Sequence, residues 1–141
     1  MQAFGSFGFV MGQISTATLD DAKAAGVTLV IQNRPDGEAP GQPASTELAS
    51  YAADLGLEYK VIDIKPGELS VEKIEAMAKE VGAAEGKILS FCAGGGRAAS
   101  MMALGLARAG KEKPDALIDM AADAGQNISG LSALLKDVAS A

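Results

Sequence analysis

Short apolar runs alternate with longer segments of helical spacing along the chain. Residues 7–11 (F-G-F-V-M) predict a first strand, 27–32 (V-T-L-V-I-Q) a β-branched second, 58–64 a third and 87–91 (K-I-L-S-F) a fourth. Between them, helices are predicted over 18–25, capped near Thr18 with acids in the first turn, and over 45–55, with Gly26 and Gly56 as stops. Ser70 caps another, in which Val71, Ile74, Met77, Ala78 and Val81 keep helical spacing. Helices over 98–109, 114–124 and 129–139 complete the pattern. Strands separated by helices pair in parallel through right-handed crossovers. The prediction is an α/β fold, a mostly parallel central sheet of four to five strands with helices on both faces. No repeat or linker interrupts the 141 residues, which predicts a single domain over 1–141.

That topology gives function an address. In such sheets ligands sit beyond the carboxyl ends of the strands, so the loops starting at Asn33, Asp63 and Cys92 should meet. Residues 33–43 (N-R-P-D-G-E-A-P-G-Q-P) carry three prolines and two glycines, which excludes regular structure and leaves a long connection at the binding edge. Cys92 opens C-A-G-G-G-R, between an apolar strand and an alanine-rich helix. Ala93, Gly94, Gly95 and Gly96 then form a loop that aims backbone N–H groups into one concavity at the positive end of the helix. Arg97 adds a planar, two-pronged donor suited to phosphate or sulfate oxygens. A thiolate nucleophile facing an oxyanion clamp is the expected chemistry.

Composition narrows the choices. With no histidine, there is no Ser-His or Cys-His dyad, no imidazole base and no His-ligated metal. A single cysteine excludes an internal disulfide and a Cys-X-X-Cys pair, and neither metal nor cofactor is expected. The net charge of −6 opposes nonspecific binding to nucleic acid or anionic membrane. No apolar run approaches the ~20 residues that cross a bilayer, and the apolar N-terminus lacks the basic region of an export signal. A cytoplasmic protein with a small anionic substrate, a phosphate ester or a sulfane-sulfur donor, is expected. Its oligomeric state is left open.

Two reactions use such a loop. In phosphomonoester hydrolysis the Cys92 thiolate attacks phosphorus, Arg97 and the amides hold the oxygens, and an acid protonates the leaving group. Asp63, at a strand end, is the first candidate for that acid, with Glu68 and Asp36 as rivals. In sulfur transfer Cys92 carries sulfane sulfur as a persulfide, and no acid is required. A non-catalytic oxyanion-binding module is the third reading. Arg34 and Asp36 are candidate substrate contacts, although Arg34 could equally brace its own loop through Asp36 or Glu38.

The stretches G-Q-I-S at 12–15, V-I-Q-N-R-P-D-G-E-A-P-G-Q-P at 30–43 and I-L-S-F-C-A-G-G-G-R at 88–97 resemble those of the beta-lactamase-hydrolase-like, phosphatase-like domains. The resemblance covers roughly the first 110 residues. It implies a cysteine-dependent, dual-specificity-phosphatase-like fold with Cys92 as nucleophile, Arg97 as the oxyanion-binding arginine and Arg34 in the Asn-Arg-Pro-Asp-Gly loop beside the site. Tyrosine and dual-specificity phosphatases usually have histidine before the cysteine, five residues between Cys and Arg, and Ser or Thr after the arginine. Here stand Phe91, four residues and Ala98. The shorter span looks like a rhodanese loop, which serves sulfur transfer.

Overall fold

The computed structural model describes residues 1–141. Its strands are β1 (Gln2–Phe4), β2 (Gly8–Met11), β3 (Val27–Gln32), β4 (Glu58–Val61) and β5 (Lys87–Phe91). Its helices are α1 (Thr16–Ala24), α2 (Ser45–Asp54), α3 (Val71–Ala83), α4 (Gly96–Arg108), α5 (Pro114–Asp123) and α6 (Ser132–Ser140), with a 3-10 turn at Ser129–Leu131. The sheet order is β1-β2-β5-β3-β4, antiparallel between β1 and β2 and parallel elsewhere. The mostly parallel sheet with helices on both faces is therefore present.

Side chains alternate across β3 and β5, as the two-residue strand period requires. Leu29, Ile31 and Ile88 enter a 24-residue core cluster with residues of α3, α4, α5 and α6. Val30, Leu89 and Phe91 face the other way, into a 10-residue cluster with Leu19 and Ala22 of α1 and Leu48 and Ala52 of α2. Helix α4 is the most deeply buried: Met101, Met102, Leu104 and Leu106 are all inaccessible to solvent.

Several local expectations change, among them α4, which starts at Gly96, and the last helix, whose first three residues form the 3-10 turn. The N-terminal apolar run is a hairpin of two strands, because the chain reverses after Phe4 through Gly5 at φ 53°, and β1 covers the outer edge of β2. Helix α1 starts two residues earlier than the pattern suggested. Ser15 is its cap and its N–H donates to Thr18 Oγ1 at 3.2 Å, so Thr18 sits inside the first turn and no acid does. The third predicted strand ends at Val61; beyond it Ile62 and Ile64 donate their N–H groups to Gln32 O and Asn33 O, carrying an irregular chain along β3 toward the site.

Candidate active site

Central strand β5 lies between β2 and β3, all three running the same way, so their carboxyl ends open side by side. Backbone bonds beyond the strands tie the loop roots together. Cys92 N–H donates to Met11 O, Gln13 N–H to Ala93 O, and Asn33 N–H to Phe91 O at 2.8 Å. Gly12 and Gly94 form an isolated bridge. A Cβ on Gly12 would lie 2.7 Å from Ala93 O, so only glycine lets the β2 exit pack this closely on the loop.

The Cys92–Arg97 loop ends in Gly95, the cap of α4, at φ 102° and ψ −18°. That left-handed turn suits glycine and swings the Gly95 N–H back to the Cys92 sulfur, N···Sγ 3.1 Å. The N–H groups of Ala93, Gly94, Gly96 and Arg97 donate to no other backbone group. They are the orphan donors of a loop running into a helix start, an arrangement that can receive an anion. Cys92 itself is buried, at 1% exposure, beneath exposed Ala93 and Gly94.

Arg97 turns inward to the adjacent loop. Its Nη1 and Nη2 donate to Glu38 Oε2 and Oε1 at 2.7 and 2.9 Å, and Nη1 also donates to Ile64 O at 2.9 Å. Arg34 joins the same carboxylate, Nε to Glu38 Oε1 at 2.9 Å, and donates from Nη1 to Gln13 Oε1 at 3.1 Å. Hydrogen bonding to Glu38, with further contributions from its charge and from the Cys92 sulfur, holds the Arg97 guanidinium above its usual range. In return the Arg97 fork, then Arg34, pulls the Glu38 carboxyl down from 4.5 to about 2.

This depression has a measurable consequence. The unfolded chain takes up the Glu38 proton near its ordinary 4.5 while the folded chain resists until about 2, so stability from this group rises with pH between those values. The stability difference between wild type and Glu38→Gln should be constant above about pH 5 and shrink as pH falls through that window. Urea unfolding at steps from pH 3 to 7 measures it.

The other expected residues lie around this centre. Asp63 faces α3, where Lys73 Nζ donates to its Oδ1 at 3.0 Å. Asp36 receives Ser45 N–H at 2.9 Å and the Ser45 hydroxyl at the start of α2, and these bonds lower its carboxyl below the usual range despite some desolvation. Gln32 Nε2 donates to Arg34 O at 2.7 Å and to Asp36 Oδ1, while the Tyr59 hydroxyl donates to Gln32 Oε1. Glu68 is exposed and borders a cleft of about 470 Å³ beside Arg97. Gln126, also in that lining, donates from Nε2 to Gly94 O at 3.3 Å.

The family model described as beta-lactamase hydrolase-like protein, phosphatase-like domain, matches residues 5–111. The chain belongs to this family. A beta-lactamase hydrolase-like protein of Agrobacterium fabrum is 34% identical over 102 residues, 72% of this chain and 24% of the relative. The chain spans about a quarter of the length of the curated relatives it matches. Among solved structures, a candidate phosphatase from Neisseria meningitidis Z2491 is similar at TM-score 0.80 and 21% identity, over 97% of this chain and 96% of the other. Kinase-associated phosphatase, carrying serine for its catalytic-site cysteine, matches at TM-score 0.70 and 18% identity, over 89% and 78%. The phosphatase-like domain thus has the fold of cysteine phosphatases, and no helix in it is long and apolar enough to cross a membrane.

Sequence reasoning named Glu38 as a brace for Arg34 but not its bond to Arg97, and it did not place Gln13 or Gln126 in this phosphatase-like site. Glu38 stands four residues after Arg34 in N-R-P-D-G-E, and that spacing signals their pair; its bond to Arg97, 59 residues away, has no local signal. Gln13 lies in the recognisable G-Q-I-S stretch, which marks it without indicating Arg34 as its partner. Gln126 lies outside the family match, and nothing in its neighbourhood announces contact with the loop.

Proposed function

We propose that the domain hydrolyses phosphomonoesters through a phosphocysteine at Cys92. The observation that carries this is the Sγ atom held by Gly95 N–H at 3.1 Å inside a loop of unpartnered amides that leads into α4 at Arg97. The thiolate attacks phosphorus, an S–P bond forms, and the P–O bond to the leaving group breaks with its electron pair going to that oxygen. Loop amides and Arg97 stabilise the equatorial oxygens, where transition-state charge gathers. Water then attacks phosphorus, releasing inorganic phosphate and restoring the thiolate. The proposal keeps Arg34 and the Asp36 loop as the flank of the substrate site, and Asp63 serves as acid only if it leaves Lys73. Aryl phosphates, whose phenolates depart readily, are the substrates of choice.

A second reading is sulfur transfer by a Cys92 persulfide. One observation favours it: Asp63 is paired to Lys73 and Asp36 to Ser45, and a persulfide carrier needs neither as an acid. Paired assays on one preparation decide, following phosphate release from p-nitrophenyl phosphate and thiosulfate-to-cyanide transfer. The phosphatase reading expects the first, with a burst of nitrophenol, since Ala98 puts no hydroxyl after Arg97 to help the thiolate depart. Transfer to cyanide without phosphate release overturns it.

A further inference from the structure

The cleft of about 470 Å³ next to Arg97 is within the size range of small-molecule sites and meets the anion loop at Gly96 and Arg97. Gly96 and Arg97, in the first turn of α4, form one end of its lining. Its walls come from two separate connections, Leu69 and Glu68 after β4 on one side and Ile128 and Leu131 before α6 on the other, with Ile64 between them. Gln126 pins the second wall to the loop through Gly94 O, and Gly95 leaves it room, since a Cβ there would meet Gln126 Nε2 at 2.8 Å.

From this arrangement we infer that the cleft receives the organic part of the substrate and selects a neutral, part-apolar body carrying a single phosphate. The inference rests on the phosphomonoester reading and adds the class of ester. The junction at Gly96 and Arg97 places the body's attachment point at the anion loop. The side chains of Ile64, Leu69, Ile128 and Leu131 offer apolar contact; Leu69 is 37% exposed, a large apolar side chain left facing solvent at the rim. Charge decides the rest. Glu68 is the only charged lining residue besides Arg97, and Arg97 is engaged at the head of the site. A second anionic group on the substrate would therefore meet repulsion and no cation. The wall at 126–131 lies beyond the family match over 5–111, so selection here is supplied by a segment outside the shared region.

Non-hydrolysable phosphonates separate the head from the body. Calorimetric titration of the full chain should show benzylphosphonate binding roughly tenfold tighter than methylphosphonate, the gain given by burying one small ring. The 4-carboxybenzyl analogue should lose that gain. Leu69→Ser and, in the other connection, Leu131→Ser should each bring the benzyl-to-methyl ratio below about threefold, the ratio taking out any change at the anion loop and thermal melts reporting an intact fold. Leu69 is exposed, so its substitution does not put the core at risk. Failure of wild type to bind methylphosphonate at all sinks the anion-loop reading and the inference with it. Methylphosphonate binding without a benzyl gain, or a gain that neither variant changes, overturns the cleft assignment alone.

Discussion

Cys92→Ser should lower phosphate release by at least about a thousandfold while the protein keeps its fold. The serine hydroxyl is smaller than the thiol and fits the same space, and the Gly95 N–H that reaches Sγ is left facing an oxygen acceptor. What changes is nucleophilicity. No histidine exists in the chain to take a proton from serine, so the hydroxyl stays protonated and inert where a thiolate would react. Inorganic phosphate affinity should persist, because the loop amides and Arg97 are untouched. Steady-state assay, circular dichroism and phosphate titration on the same sample test all three parts. Turnover within tenfold of wild type would remove Cys92 from the chemistry.

Arg97→Lys should cost about a hundredfold to a thousandfold in kcat/KM, falling on kcat as well as KM. The guanidinium does two things a lysine ammonium cannot do together: it forks onto Glu38 and holds Ile64 O. A point charge on a flexible stem keeps attraction for the anion but loses the planar geometry that follows the oxygens as charge develops on them. The loss in kcat distinguishes a group acting in the transition state from one that only gathers substrate. A change confined to KM would place Arg97 in binding alone.

Much of this arrangement is visible in the chain before any coordinates. The run from Lys87 to Arg97 reads as strand, glycine loop and helix start because each part has its own local signal, and the fold keeps that order. β2, β3 and β5 are legible for the same reason, being largely apolar runs between helical segments, while β4 (E-Y-K-V) shows the polar–apolar alternation of an edge strand. β1 is not legible, since three residues are too few to show a period of two. The charge network around Arg97 is hidden for a different reason. Bonds from Arg97 to Glu38 and Ile64 O span 59 and 33 residues, and only the sheet order β2-β5-β3-β4 makes those loops neighbours. Asp63 shows the limit of reasoning from position: at a strand exit it has the right address, yet Lys73, ten residues on, determines where its carboxylate points.

The carboxylate gripping both prongs of Arg97 is an internal stand-in for a ligand. On the proposed function, an anion that takes both prongs has to displace it, so the affinity measured for that anion is the difference between two ion pairs and understates the strength of the new one. Weak, abundant anions that cannot outcompete a tethered neighbour leave the fork in the hold of Glu38.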